Sequence, residues 1–322
     1  MKKKQFLISI DTEGDNLWDW KQGKRITTEN TKYLQRFQDL CDKYGFKPTY
    51  LTNYEMAADD KFVTFAKKTL SYNGCEIGMH LHAWNSPPEH SLTERSDGEN
   101  PGCAYLIEYP DKVMEAKISF MTTYLEERFG VRPTTHRAGR WAMDDRYFKL
   151  LEKYGYETDC SVTPGKDWRD CSGFTDGSCG SNYSNYPSKP YIVEGTNILE
   201  VPVTVKENHR VKVDEVKTVK HIIGNYYRAW KGQGKIWLRP NGRNLDDMIY
   251  LSDVISKKSD NYLMFMLHSS EFMPGGSWVF NTEEEIERLY EHLEILFKHI
   301  SKNYVGSTIG EYAQSFREKV EG

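Results

Sequence analysis

Residues 6–18 read FLISIDTEGDNLW: five mostly apolar residues pass directly into Asp11 and Glu13, one residue apart, and then Gly14 and Asp15. A short apolar run of this kind predicts a strand buried on both faces, as parallel sheets require. Carboxylates at the end of such a strand are costly unless they meet solvent or a cation. The stretch therefore predicts an architecture and marks where its chemistry gathers, since parallel barrels build their sites at the carboxyl ends of strands.

The pattern repeats outward from there. Leu34, Phe37, Cys41 and Tyr44 recur at helical spacing and Gly45 ends the run, after which KPTYLTN (47–53) reads as a second strand. The alternation continues with a helix near 55–70, strand CEIGMHLH, a helix near 112–129, strand THRAG, a helix near 144–154, and strands ETDCSV and ILEVPVT. A helix near 214–231, strand KIWLRP, a helix near 244–258, strand YLMFMLH and a helix over 283–300 complete it. The last helix opens on a capping box, Thr282 with Glu285, ahead of Ile286, Leu289, Leu293, Leu296 and Ile300 on one face. Repeated βα units predict an α/β fold, a distorted (β/α) barrel of about seven to eight parallel strands, closed or nearly closed. No glycine-rich phosphate loop follows the first strand, which argues against a dinucleotide-binding sheet.

The 322 residues are 38% apolar and carry a net charge of -4 with the basic residues dispersed. This suits one domain over 1–322 and offers no footprint for nucleic acid or an anionic membrane. Two connections, 83–111 and 163–197, exceed simple loops and are expected to be functional. Three lysines precede FLISI, but that run is too short for a signal-peptide core or a membrane span, so a cytoplasmic location is expected. The six cysteines form no disulfide framework and are expected to be reduced, Cys171 and Cys179 being the only pair close enough to question.

The residues at or after the strand ends are Asp11 and Glu13, His80 and His82, Arg137 and Arg140, and His268, with Asp159 within the fifth strand. Residues two apart on an extended segment face the same way, so Asp11 with Glu13, and His80 with His82, can converge. A carboxylate and two imidazoles suit a divalent ion, zinc being the default, with an open position for water. Asp15 and Asp145 read as turn formers or caps, and His136, His209, His221, His292 and His299 as surface or packing residues. His90, in the long loop, is set behind the His80 pair. Trp18, Trp20, Trp84, Trp141, Trp168 and Trp278 follow strands on the expected rim, either as platforms for sugar rings or as loop anchors.

In order and placement these motifs resemble the polysaccharide deacetylases of the NodB-homology type, carbohydrate esterase family four. The resemblance implies that Asp11 of SIDTEGD is the catalytic base, that Glu13 and His80 are metal ligands, that Arg137 of HRAGRW orients the base, and that His268 of MLHSSEF is the general acid. Where the family spaces its histidines four apart, this chain has Trp84, and His82 becomes the candidate third ligand. Arg140 and Trp141 stand where a tyrosine would lie, and Arg140 suits an anionic substrate group. The implied activity is metal-dependent hydrolysis of an N-acetyl group on an amino sugar, with a carbohydrate as partner and Trp84, Arg140, Trp141 and Trp168 as substrate-binding candidates. Hydrolysis of non-sugar amides or cyclic ureides, and non-catalytic carbohydrate binding, are the alternatives.

Overall fold

A computed structural model describes residues 3–17, 25–92, 104–209, 234–258 and 262–321. The expected helix near 214–231, Trp18, Trp20 and much of the 83–111 connection lie outside them. The fold is built on a curled half-barrel sheet of nine strands. In chain order these are β1 (Lys4–Thr12), β2 (Pro48–Thr52), β3 (Glu76–Leu81), β4 (Thr135–Ala138), β5 (Thr158–Asp159), β6 (Tyr191–Ile192), β7 (Leu199–Glu200), β10 (Tyr262–His268) and β11 (Tyr304–Gly306). The remaining pair, β8 (Val205–Glu207) and β9 (Lys235–Trp237), forms a separate antiparallel ribbon. The strands lie in the order β10, β1, β2, β3, β4, β5, β7, β6, and β11 pairs with the first residues of β1. Every pairing in the sheet is parallel except β6 with β7.

The apolar run in β1 is continuous because both faces are covered. Phe6, Ile8 and Ile10 belong to the core between sheet and helices, together with Leu34 and Phe37 of the first helix. Leu7 faces the inside of the curl, in a second cluster with Leu51, Cys160, Leu199, Val201, Tyr262 and Met264. Ser9 and Asp11 continue from Leu7 at two-residue spacing, so the inner face turns from apolar to charged toward the strand's carboxyl end.

Three expectations are corrected. ILEVPVT is not one strand: the regular ladder covers only Leu199–Glu200, and the next strand begins at Val205, past its end. Pro202 lies between, and it has no amide proton to give to a ladder. KIWLRP enters the antiparallel ribbon rather than the parallel sheet. The curl is consequently not closed by strand pairing; its gap beside β10 is spanned by single bonds, Met264 N donating to Thr204 Oγ1 at 2.9 Å and Met266 N to Leu238 O at 3.2 Å. The helix expected near 55–70 divides at Asp59, whose extended backbone (ψ 111°) separates Tyr54–Ala58 from Asp60–Ser71 and whose carboxylate caps the second piece at Lys61 N.

The capping box at Glu283–Ile300 forms as read, Glu285 N donating to Thr282 Oγ1 and Thr282 N to Glu285 Oε2. Among the described residues no helix is long and apolar enough to cross a membrane. Cys171 and Cys179 are free thiols on facing segments of the 163–197 connection, where Ser172 pairs with Cys179.

Candidate active site

Glu13, His80 and His82 meet at the carboxyl end of the sheet, all buried, with one ligand atom from each within 4.8 Å of the others. His82 Nε2 lies 2.8 Å and His80 Nε2 3.4 Å from Glu13 Oε2. The donor chemistry fits a divalent ion. His80 Nδ1 is 2.9 Å from the Arg137 carbonyl, which can only accept, so that nitrogen donates its proton there, and Nε2, which faces Glu13, is the atom left to ligate an ion. Burial pushes the Glu13 carboxyl up, but its bonds to the two histidines outweigh this and hold it well below the carboxylate range. Burial lowers both imidazoles; Asp11 and Glu13 reverse this for His80, whereas His82 stays below its ordinary value.

Beside this group, Arg137 is wholly buried on the inner face of β4 and pairs with Asp11 at 2.5 Å. Its other donors go to Ser9 Oγ (2.9 Å) and Cys160 O (3.0 Å), so the guanidinium is committed to holding Asp11. Burial raises the Asp11 carboxyl, yet Arg137, His80 and His268 bring it below its ordinary value. His268 ends β10 in register with Asp11, its Nε2 3.8 Å from Asp11 Oδ2 and 3.9 Å from Glu13 Oε1. The structure thus brings Asp11, Glu13, His80, His82, Arg137 and His268 into one site. Asp159 goes elsewhere: in register with His136 and Glu200, it binds His136 Nδ1 at 2.6 Å on the helix-covered face. His136 is a packing residue, its other nitrogen 2.8 Å from Tyr147 Oη.

Five contributors were not read from the sequence. Glu271, fully buried, accepts from His268 N at 2.9 Å, lies 3.0 Å from His268 Nδ1 and is paired with Arg239 at 3.2 Å. Burial pushes its carboxyl up, but Arg239 and His268 pull it down to about 2. Ser269 and Asn30 hold the Glu13 peptide: Glu13 N donates to Ser269 Oγ at 3.0 Å, and Asn30 Nδ2 donates to Glu13 O at 2.8 Å. Glu55 accepts from Gly14 N, next to Glu13, at 2.8 Å. A signal for Glu271 was present, an acid three residues after a strand-end histidine in the pattern of a capping box; the others lie far from their partners in sequence.

Of the residues expected to bind substrate, Trp84 and Trp141 lie beside the group, and Arg140 and Trp168 pack on neighbouring loops. The Trp84 ring lies 5.3 Å from that of His82, and the Arg137 guanidinium sits 4.9 Å from the Trp141 ring. Arg140 lies over Tyr105 at 4.1 Å and donates to Ser172 O at 3.2 Å. Arg140 and Trp141 are consecutive non-glycine residues in the left-handed region, φ 56° and 62°, a strain that tends to persist at functional sites. Trp168 and Trp141 each pack edge-on against Trp237, both at 6.4 Å, tying the loops after β4 and β5 to the ribbon. Trp278 is 67% exposed.

No family model matches the chain, and no curated protein matches its sequence. Solved structures do match. A Mycobacterium smegmatis protein provisionally assigned as a polysaccharide deacetylase superposes with TM-score 0.53 at 14% identity, over 99% of this chain and 92% of that one. The 4-alpha-glucanotransferase of Thermococcus litoralis gives 0.54 at 15% identity, over 98% of this chain and 41% of that one. A branching enzyme of Thermococcus kodakaraensis gives 0.55 at 11% identity, covering 97% and 71%. The likeness is one of fold. It extends across a provisionally assigned polysaccharide deacetylase, a 4-alpha-glucanotransferase and a branching enzyme.

Proposed function

We propose that the chain is a metal-dependent hydrolase that removes an N-acetyl group from an amino sugar in a polysaccharide or glycan precursor. The observation that carries this reading is the convergence of Glu13, His80 and His82 with the Asp11–Arg137 pair and His268 at one end of the sheet. Glu13, His80 and His82 would hold the divalent ion, zinc by donor type, which when bound acidifies a water and polarises a carbonyl. Asp11, kept ionised by Arg137, accepts the proton of the attacking water. His268, oriented by Glu271 and Arg239, delivers a proton to the departing amine. The tryptophans of the rim provide flat faces for a sugar ring. A purely carbohydrate-binding protein has no use for base, ligands, buried arginine and acid together.

The test is acetate release from N-acetylglucosamine derivatives by zinc-loaded protein, with cyclic amides assayed in parallel. Acetate release that Asp11→Asn abolishes while zinc uptake survives supports the proposal. Turnover that survives the substitution, or ring opening without acetate release, overturns it.

A further inference from the structure

Glu55 stands at the start of the short helix Tyr54–Ala58, after β2, between the two loops that carry the ligand group. One carboxylate oxygen accepts from Gly14 N at 2.8 Å and from Asn53 Nδ2 at 3.2 Å; the other accepts from Asn85 Nδ2 at 2.6 Å. Gly14 adjoins Glu13, and Asn85 is three residues beyond His82. The loop after β1 is pressed into place: a Cβ at Gly14 would come within 2.2 Å of Ile26 Cγ2, 3.0 Å of Thr27 O and 3.4 Å of Glu55 Oε1. Glu13 and His82 leave different strands and are joined by no sheet bond of their own, because β1 and β3 are separated by β2. Their separation therefore depends on what links the loops.

We infer that Glu55 is a positioning residue for the metal centre, a clamp that holds the Glu13 loop against the His82 loop at the spacing a divalent ion needs. The inference rests on the metal reading above. Partners that orient ligands in this way change metal affinity by about 10–100-fold when removed.

The experiment measures zinc affinity of the full chain by competition with a chromophoric chelator, for wild type, Glu55→Ala, Glu55→Gln and Asn85→Ala. Glu55→Ala is expected to weaken zinc binding at least about tenfold, and Asn85→Ala in the same direction. Glu55→Gln should lose less than the roughly tenfold that marks removal of such a partner. Its amide keeps an acceptor for Gly14 N, and Asn85 can turn its unpartnered Oδ1 toward the new NH2. Wild-type affinity in Glu55→Ala overturns the clamp, as do equal losses in the alanine and glutamine variants, which would assign the effect to charge. If Glu55→Ala does not fold, wild-type affinity in Asn85→Ala overturns it instead. Wild-type protein that binds no zinc overturns the metal reading itself, a result distinct from the others.

Discussion

At the scale of single residues, the site depends on contacts with no spare room. Gly139 packs beneath His82: a Cβ there would lie 2.7 Å from His82 Nδ1 and 2.6 Å from Leu81 O. Gly139→Ala must displace the imidazole or the strand end, and a cost of about 1–3 kcal/mol is expected for such overpacking. Urea denaturation reads that cost, and weaker zinc uptake by the variant reads the displaced ligand. Glu271 gives a pH prediction. Its carboxyl is held at about 2 in the folded chain against an ordinary 4.5. Its stabilising contribution, about 3 kcal/mol, is therefore present above pH 4.5 and is lost as pH falls toward 2. Denaturation of wild type and Glu271→Gln at pH 7 and pH 3 should show the gap between them shrinking at the lower pH. A gap that does not change with pH would remove the charge argument.

At the scale of elements, local chemistry sets boundaries and pairing sets the rest. Thr282 satisfies a backbone donor at the start of Glu283–Ile300, and Glu285 reciprocates. Thr282→Ala should cost about 1 kcal/mol, seen as a lowered thermal midpoint with no change in zinc affinity. The helix near 55–70 was legible as apolar periodicity, but its division was not, because Asp59 can continue a helix or cap one. What decides is the tertiary partner, Thr31 Oγ1, which donates to Asp59 Oδ2 at 2.9 Å from another element. ILEVPVT illustrates the reverse: the break at Pro202 was in the sequence, and apolar continuity masked it.

At the scale of the whole molecule, binding and folding are linked if the ligand group holds an ion. Zinc at about 100 times its dissociation constant should stabilise the protein by about 2.7 kcal/mol. A chelator should reverse the gain, and the His80→Ala, His82→Ala double variant should show none; thermal midpoints with and without zinc check all three. By itself the sequence determined the alternating elements, the parallel class of sheet, and the D-x-E and H-x-H pairs at strand ends, because periodicity, capping and residue type act over a few neighbouring positions. It could not determine that the curl stays open beside β10, that Asp159 turns to the helix-covered face, or that Arg239 and Glu55 reach the site. Arg239 meets Glu271 across 32 residues and Glu55 meets Gly14 across 41. Such partners are set by the register and order in which separate strands pair, and only the tertiary structure decided those, because no local interaction encodes them.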